Sequence, residues 1–376
     1  MRWGWRPMAE APCPIPLGMV GGGEGAFIGA VHRIAARMDG HFRLVAGALS
    51  SDAARAEASA RALGLDRAYV DFREMARAEA ARPDGIRAVS VVTPNHLHAP
   101  VAVAFLDAGI HVICDKPLAA TPEQAQAIAE AAMRSRARFF LTHNYCANPM
   151  VREAKAIVAE GGIGDLRLVQ AEYLQGWLAD EVHSKQADWR TDPAQAGAGA
   201  IGDIGTHAWQ LAAFVTGETP VALAAELSSM VPGRRVDDDV RVMLRYASGA
   251  RGGLWASQVA VGRENGLSLR IFGTKGALEW HQEDPERLIF TVKGEPPRIL
   301  TRAQDRSASF RTPPGHPEGY LEAFANLYSD IATVIRGNEG PLARLPGLAD
   351  GLSGMAFIAA AQASAARDGA WVEVHP

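Results

Sequence analysis

Residues 18–33 read GMVGGGEGAFIGAVHR and lie between a short apolar run and a helical pattern. Within them Gly21-x-Gly23-x-x-Ala26 has the spacing of a dinucleotide-binding turn. Glycines there permit a tight bend and close approach of a pyrophosphate, whose charge the N-terminus of the next helix stabilises. The run continues to Gly25 and Gly29, so the loop is wider than the usual fingerprint. A flexible glycine turn is the plain alternative, but a strand before and a helix after favour a nucleotide. Gly21, Gly23, Gly25, Ala26 and Phe27 are the cofactor positions this reading selects.

Outward from that loop, residues 17–143 alternate β-branched runs with alanine-rich helical patterns, as a parallel sheet with crossover helices does. The predicted strands are LGMVG, FRLVAGAL, AVSVVTPN, HVICDKP and RFFLTHN. Thr121, Pro122 and Gln124 supply a cap, a first-turn proline and a capping-box acceptor for the helix between the last two. Beyond residue 150 the strands alternate faces, clearest in VDDDVRVMLRY, where Val240, Val242, Leu244 and Tyr246 share a side. A hairpin is expected with its turn at Gly273 to Gly276, and helices at about 149–160, 203–216, 317–336 and 347–367. The fold class is α/β: a doubly wound Rossmann domain over 15–146, then an α+β domain over 147–376 with a large, mostly antiparallel open sheet. Residues 1–14, broken by prolines and without an apolar core, read as a flexible arm.

Composition narrows the partners. With 38 basic and 42 acidic side chains the net charge is −4, which gives no electrostatic case for nucleic acid or an anionic membrane. No apolar run is long enough to span a bilayer. Cys13, Cys114 and Cys146 lack metal or disulfide spacing and read as free thiols in a reducing, cytoplasmic setting.

Three motifs carry possible chemistry. In HVICDKPLAAT, 111–121, a lysine at the end of a buried strand is either a solvated cap or a working group, because a buried ammonium is costly. In TPNHLH, 93–98, the polar residues either cap the next helix or touch a cofactor at the sheet's switch point. His96 and His98 have strand-pair metal spacing, but Pro94 breaks the strand and no further ligand adjoins, so no metal is expected. In GAGAIGDIGTHAWQ, 197–210, Asp203 and His207 stand four apart and would share a helix face. There an imidazole could take a hydroxyl proton beside an orienting carboxylate, or the two could be a cap and an exposed histidine.

Taken together and in order, these motifs with GIGDLRLVQAEY and FGTKGALEW resemble the Gfo/Idh/MocA family of nicotinamide-dependent oxidoreductases over nearly the whole chain. The resemblance implies that Lys116 stands between nicotinamide and substrate, with Asp203 orienting substrate and His207 transferring the proton. It implies that Thr93, Pro94, Asn95, His98 and Pro117 neighbour the cofactor, with a cis bond expected before Pro117. Asp115 stands where the family's motif has glutamate. Tyr145, His183, Trp189, Arg190 and His316 are further expected substrate neighbours, with core packing the alternative for Tyr145 and Trp189.

The function so implied is hydride transfer between NAD(P) and a secondary alcohol of a sugar, inositol or related polyol. Glycoside hydrolysis through transient oxidation, or a non-catalytic NAD(P) sensor, are the alternatives. Ser50, Ser51 and Arg55 stand at the end of the second strand, where an acid would repel a 2′-phosphate, so NADP is expected over NAD, with Asp52 close by as the counter-indication. A homodimer or homotetramer is expected, formed by packing second-domain sheets together.

Overall fold

Short aliphatic strands buried on both faces suit a parallel sheet covered by helices, and such strands form the centre of the first sheet here. The computed structural model describes residues 13–304 and 309–375, so all but the end of the expected N-terminal arm lies outside the described residues. The first sheet is built from β1 (Ile15–Gly21), β2 (Phe42–Ala48), β3 (Arg67–Ala68), β4 (Ala88–Val92), β5 (His111–Cys114) and β6 (Phe139–Leu141). Its order is β3-β2-β1-β4-β5-β6, parallel throughout. The helices between are α1 (Phe27–Met38), α2 (Ala53–Ala62), α3 (Phe72–Ala80), α4 (His98–Asp107) and α5 (Pro122–Arg134). Thr121 does cap α5, accepting from the Gln124 amide at 3.3 Å. The order reverses between β1 and β4, so the loops leaving their ends part and open a crevice.

The second half runs through α6 (Pro149–Ala159), β7 (Leu166–Leu174), α7 (Lys185–Arg190), α8 (Pro193–Ala196), α9 (Thr206–Thr216), β8 (Ala222–Ser228), β9 (Asp239–Arg245), β10 (Arg251–Ser257), β11 (Gly266–Gly273), β12 (Gly276–His281), β13 (Arg287–Val292), β14 (Arg298–Thr301), α10 (Tyr320–Ile335), α11 (Leu348–Ala365) and β15 (Val372–Glu373). Nine strands form one sheet in the order β14-β13-β12-β11-β7-β10-β9-β8-β15. Within this sheet, among the described residues, only β7 and β10 pair in parallel, which brings their C-terminal ends side by side. As the alternation requires, Val240, Val242, Leu244 and Tyr246 are buried while Arg241, Met243 and Arg245 are exposed. Helices α6, α9 and α11 cover the buried face. On the open face, cross-strand register aligns Leu168 with Phe272 and Ile289 with Ile299. Charged and aromatic groups share that face: Arg270 bonds Glu172 at 2.5 Å, and the Arg241 guanidinium lies 3.7 Å from the Trp255 ring centroid.

Two features depart from the linear reading. The helix expected over 203–216 is wound in two ways: Ile201–Gly205 forms a π turn and α9 follows. The turn is wider by one residue, yet Asp203 and His207 still face the same cavity. The chain's late helices also cross back onto the first domain. Tyr328 of α10 places its hydroxyl 2.9 Å from His32 Nδ1 on α1 and 2.7 Å from Ser90 Oγ on β4. Phe324 packs its ring 5.1 Å from that of His32. Among the described residues no helix is long and apolar enough to cross a membrane, and no group of three His, Cys, Asp or Glu side chains could hold a metal ion.

The shared hydroxyl yields a stability prediction. Tyr328→Phe keeps the packing but strips His32 and Ser90 of a buried partner, and should cost about 1–3 kcal/mol in urea unfolding.

Candidate active site

The glycine run is a close-packed cradle. Gly21 and Gly22 have φ of +78° and +71°, a region that costs side-chain-bearing residues energy. A Cβ on Gly21 would sit 2.8 Å from the Val92 carbonyl oxygen, and one on Gly29 2.5 Å from Gly22 Cα. Gly29 thus lets α1 pack directly on the loop, which accounts for the glycine beyond the short fingerprint. Arg33 of α1 donates to the Gly22 carbonyl at 2.6 Å and pins the loop from behind. Ala26 precedes α1 and provides no side-chain cap, and the amides of a helix's first turn suit an anion.

A cavity of about 210 Å³ opens beside this loop. Gly21, Gly23, Ala26, Thr93, Pro94, Asn95, Lys116 and Trp189 line it. Thr93 Oγ1 is buried there without a protein partner, as expected of a hydroxyl waiting for a ligand. These residues fit a dinucleotide. Ser50, Ser51 and Arg55 follow Leu49, which lines the cavity. Asp52 caps α2 through the Arg55 amide at 2.8 Å, and the Arg55 guanidinium lies 3.7 Å from the same carboxylate. His98 is fully buried behind the wall, its ring between the carbonyls of Pro117 at 2.8 Å and Thr93 at 3.0 Å. It closes the turn and lines neither cavity. The Lys116–Pro117 bond is cis.

A second cavity of about 430 Å³ adjoins the first. Ile28, Asp115, Lys116, Gln186, Arg190 and Asp203 line both. At their junction Lys116 Nζ donates to Asp203 Oδ1 at 2.8 Å and to the Asp203 carbonyl at 2.5 Å. The other carboxylate oxygen accepts from Gln258 at 2.8 Å and Arg190 at 3.3 Å. Burial alone would raise the Asp203 pKa, but Lys116 and Arg190 hold it far below the usual carboxylate range. Asp115, next to the lysine, accepts from Thr142 at 2.7 Å and lies 3.6 Å from His32 Nε2. Against its own burial, His32 and Lys116 bring the Asp115 carboxyl down to about 2.

His207 sits deeper, its ring edge-on to Tyr145 at 4.9 Å and Tyr173 at 5.9 Å between centroids. Its Nδ1 lies 3.5 Å from His143 Nδ1. Burial first, then Lys116 and His143, lower the His207 pKa well below the ordinary value. Hydroxyls of Tyr145 and Tyr173 bond each other at 2.6 Å, and Asn265 accepts from Tyr173 at 2.6 Å.

Of the residues singled out from sequence, Lys116, Tyr145, Arg190, Asp203 and His207 line the larger cavity together with Phe27. His183 and His316 line neither. His183 is exposed and 3.5 Å from Glu181, and His316 is exposed with its ring on the Pro313 carbonyl. Both sit in polar surface segments with nothing to hold their rings inward. Gly25 is exposed and has open space about it. The sequence reading missed Gln258, His143, Tyr173, Gln175, Trp177 and Asn265. Tyr173 and Gln175 stand at the end of β7, and Gln258 at the end of β10. Only the parallel pairing of those strands brings them together, and no local motif encodes it.

Comparison with known proteins agrees with this geometry. Residues 15–143 match the oxidoreductase family with an NAD-binding Rossmann fold, and residues 151–279 match the GFO/IDH/MocA C-terminal domain. Levoglucosan dehydrogenase of Pseudarthrobacter phenanthrenivorans is 33% identical over 81% of each chain. A solved oxidoreductase from Sinorhizobium meliloti is 51% identical, with a TM-score of 0.88, 96% of this chain and 99% of that one being covered. An inositol dehydrogenase homolog from Azotobacter vinelandii, solved with NADH and myo-inositol, is 35% identical with a TM-score of 0.89, covering 96% and 98%. With the cradle, the lysine and both halves of the fold accounted for in one scheme, the chain belongs to the GFO/IDH/MocA family of NAD(P)-dependent oxidoreductases.

Proposed function

We propose that the protein oxidises a secondary alcohol of a cyclic polyol or sugar, or reduces the corresponding ketone, with NAD as the hydride partner. The observation that carries this reading is the convergence of Lys116, Asp203 and His207 at the junction of two cavities, one beside the glycine loop and one of small-molecule size. Two of the three Lys116 N–H groups are held by Asp203, which leaves the third for the reacting oxygen. A cation there stabilises the alkoxide that develops as the C–H bond breaks. His207, kept neutral by burial, accepts the hydroxyl proton. Asp203 and Arg190 form a polar wall for neighbouring hydroxyls, and the tyrosines give the ring an amphipathic floor. A bound nicotinamide supplies the hydride acceptor. Two relatives support the substrate class by name, one being a levoglucosan dehydrogenase and the other holding myo-inositol.

NAD is preferred over NADP in this proposal, against the expectation from the serines and Arg55. Asp52 draws the Arg55 guanidinium to itself, so a 2′-phosphate would meet an occupied cation and a carboxylate. Fluorescence titration should give a lower dissociation constant for NAD than for NADP. Asp52→Ala should narrow the gap, and tighter NADP binding by the unmodified protein would reverse the assignment.

We also propose that the open sheet face packs against a second copy, covering Leu168, Met243, Phe272 and Ile299, all exposed in the single chain. Light scattering should then give a multiple of 40.0 kDa, and Phe272→Glu should lower it; a 40.0 kDa particle in the unmodified protein overturns this.

A panel of cyclic polyols and sugars, including myo-inositol and levoglucosan, read by absorbance of the reduced cofactor, tests the main reading. Lys116→Ala and His207→Ala should each lower kcat by about 100-fold or more with NAD affinity little changed. Asp203→Asn should act mainly on KM. Since the His207 pKa is lowered, its base form persists into acid. The acid limb of alcohol oxidation should therefore fall below the ordinary histidine value of about 6.5. Undiminished hydride transfer by folded Lys116→Ala would sink the proposal.

A further inference from the structure

We infer that His143 is a positioning residue that fixes which nitrogen of His207 carries the proton. The inference rests on the reading of His207 as proton acceptor and adds the group that prepares it. A histidine that takes a hydroxyl proton through Nε2 must carry its own proton on Nδ1, and a buried N–H there needs an acceptor. Among the described residues, the partner at His207 Nδ1 is His143 Nδ1, at 3.5 Å with the rings at 84°. That separation is long for a hydrogen bond, as catalytic contacts often are before substrate is bound. The neighbouring hydroxyls are already committed, since Tyr145 and Tyr173 bond each other and Asn265.

His143 is built to accept. It is 2% exposed, and its backbone is pinned by its own amide on the Leu141 carbonyl and by Cys146 Sγ on its carbonyl. Burial and then Lys116 push its pKa down to about 3, with Asp115 opposing weakly. A ring that resists protonation offers a bare nitrogen instead of a competing cation. The groups facing the pair are Lys116 and Asp115 from the β5 end, Tyr145 from the segment after β6, Tyr173 from β7 and Asp203 from the π turn. None of them supplies an acceptor at Nδ1.

The proton balance is simple. As the alcohol carbon gives up hydride and the carbonyl forms, the O–H proton moves to His207 Nε2. The Nδ1 proton stays on His207, and its bond to His143 becomes charge-assisted. In the reverse direction Nε2 returns its proton to the oxygen, and the same Nδ1–H bond restores the starting tautomer. His143 neither gains nor loses a proton, so it touches the reaction only through His207.

The test reads the tautomer directly. In ¹⁵N-histidine-labelled protein, long-range ¹H–¹⁵N spectra distinguish protonated from bare ring nitrogens, and the His207→Gln and His143→Gln variants assign the two rings. Wild-type His207 should show a single Nδ1–H form. His143→Phe should give a mixture or the Nε2–H form, and His143→Gln, whose amide oxygen can accept, should restore Nδ1–H in part. With myo-inositol or levoglucosan as probe, His143→Phe should lower kcat by about 10- to 100-fold, with KM and NAD affinity little changed, and His143→Gln should recover part of it. An Nε2–H form in the wild type, or an unaltered Nδ1–H form in His143→Phe, overturns the inference without any substrate. Full hydride transfer by His207→Ala would instead overturn the functional reading. Inactive His207→Ala with unaltered His143→Phe removes His143 alone.

Discussion

The ion pair between Lys116 and Asp203 joins the two halves of the molecule at the point where chemistry is expected. The lysine ends a strand of the parallel sheet and the aspartate lies in the π turn ahead of α9, on the second domain. Both are largely shielded from water. Bringing two such charges out of solvent is expensive and returns stability only when the remaining donors and acceptors are satisfied. Here they are, since Gln258 and Arg190 take the second carboxylate oxygen and the backbone of Asp203 takes another ammonium proton. Burial first, and then the nearby Lys116, keeps the two histidines neutral. The pairing thus ties the two halves of the molecule together at the site itself.

The share of this arrangement that can be read in the sequence follows the range of the interactions. The glycine turn, the Thr121 cap and the alternation of β9 depend on neighbours a few residues away, and the chain states them openly. The cysteines likewise prove to be free thiols, Cys114 and Cys146 buried. Lys116 is ambiguous by local rules, and only its company of ordered motifs favours reading it as a working group. Asp203 and His207 line one cavity, as their spacing suggests, although helix periodicity does not foresee the π turn that carries Asp203. Gln258, Tyr173 and Asn265 were invisible, since their meeting depends on strands that pair in parallel across long connections. His183 and His316 show the converse error: polar residues in plausible segments, with no packing to turn them inward.

The late helices carry a different lesson. α10 lays Phe324 and Tyr328 on α1, and the hydroxyl of Tyr328 completes the partners of His32 and Ser90. His32 in turn stands 3.6 Å from Asp115. The first domain therefore borrows part of its own interior from the far end of the chain.

During synthesis this order has a cost. Domains tend to fold as they leave the ribosome, N-terminal part first. The parallel sheet is complete once Leu141 has emerged, yet the strip on α1 that receives Phe324 and Tyr328 stays bare until residues 320–335 have been made. For that interval the nascent chain presents an apolar groove and a histidine whose Nδ1 lacks its partner. The nucleotide-binding half is thus a late finisher, whose last contacts form only after all but the last strand of the other sheet has been translated.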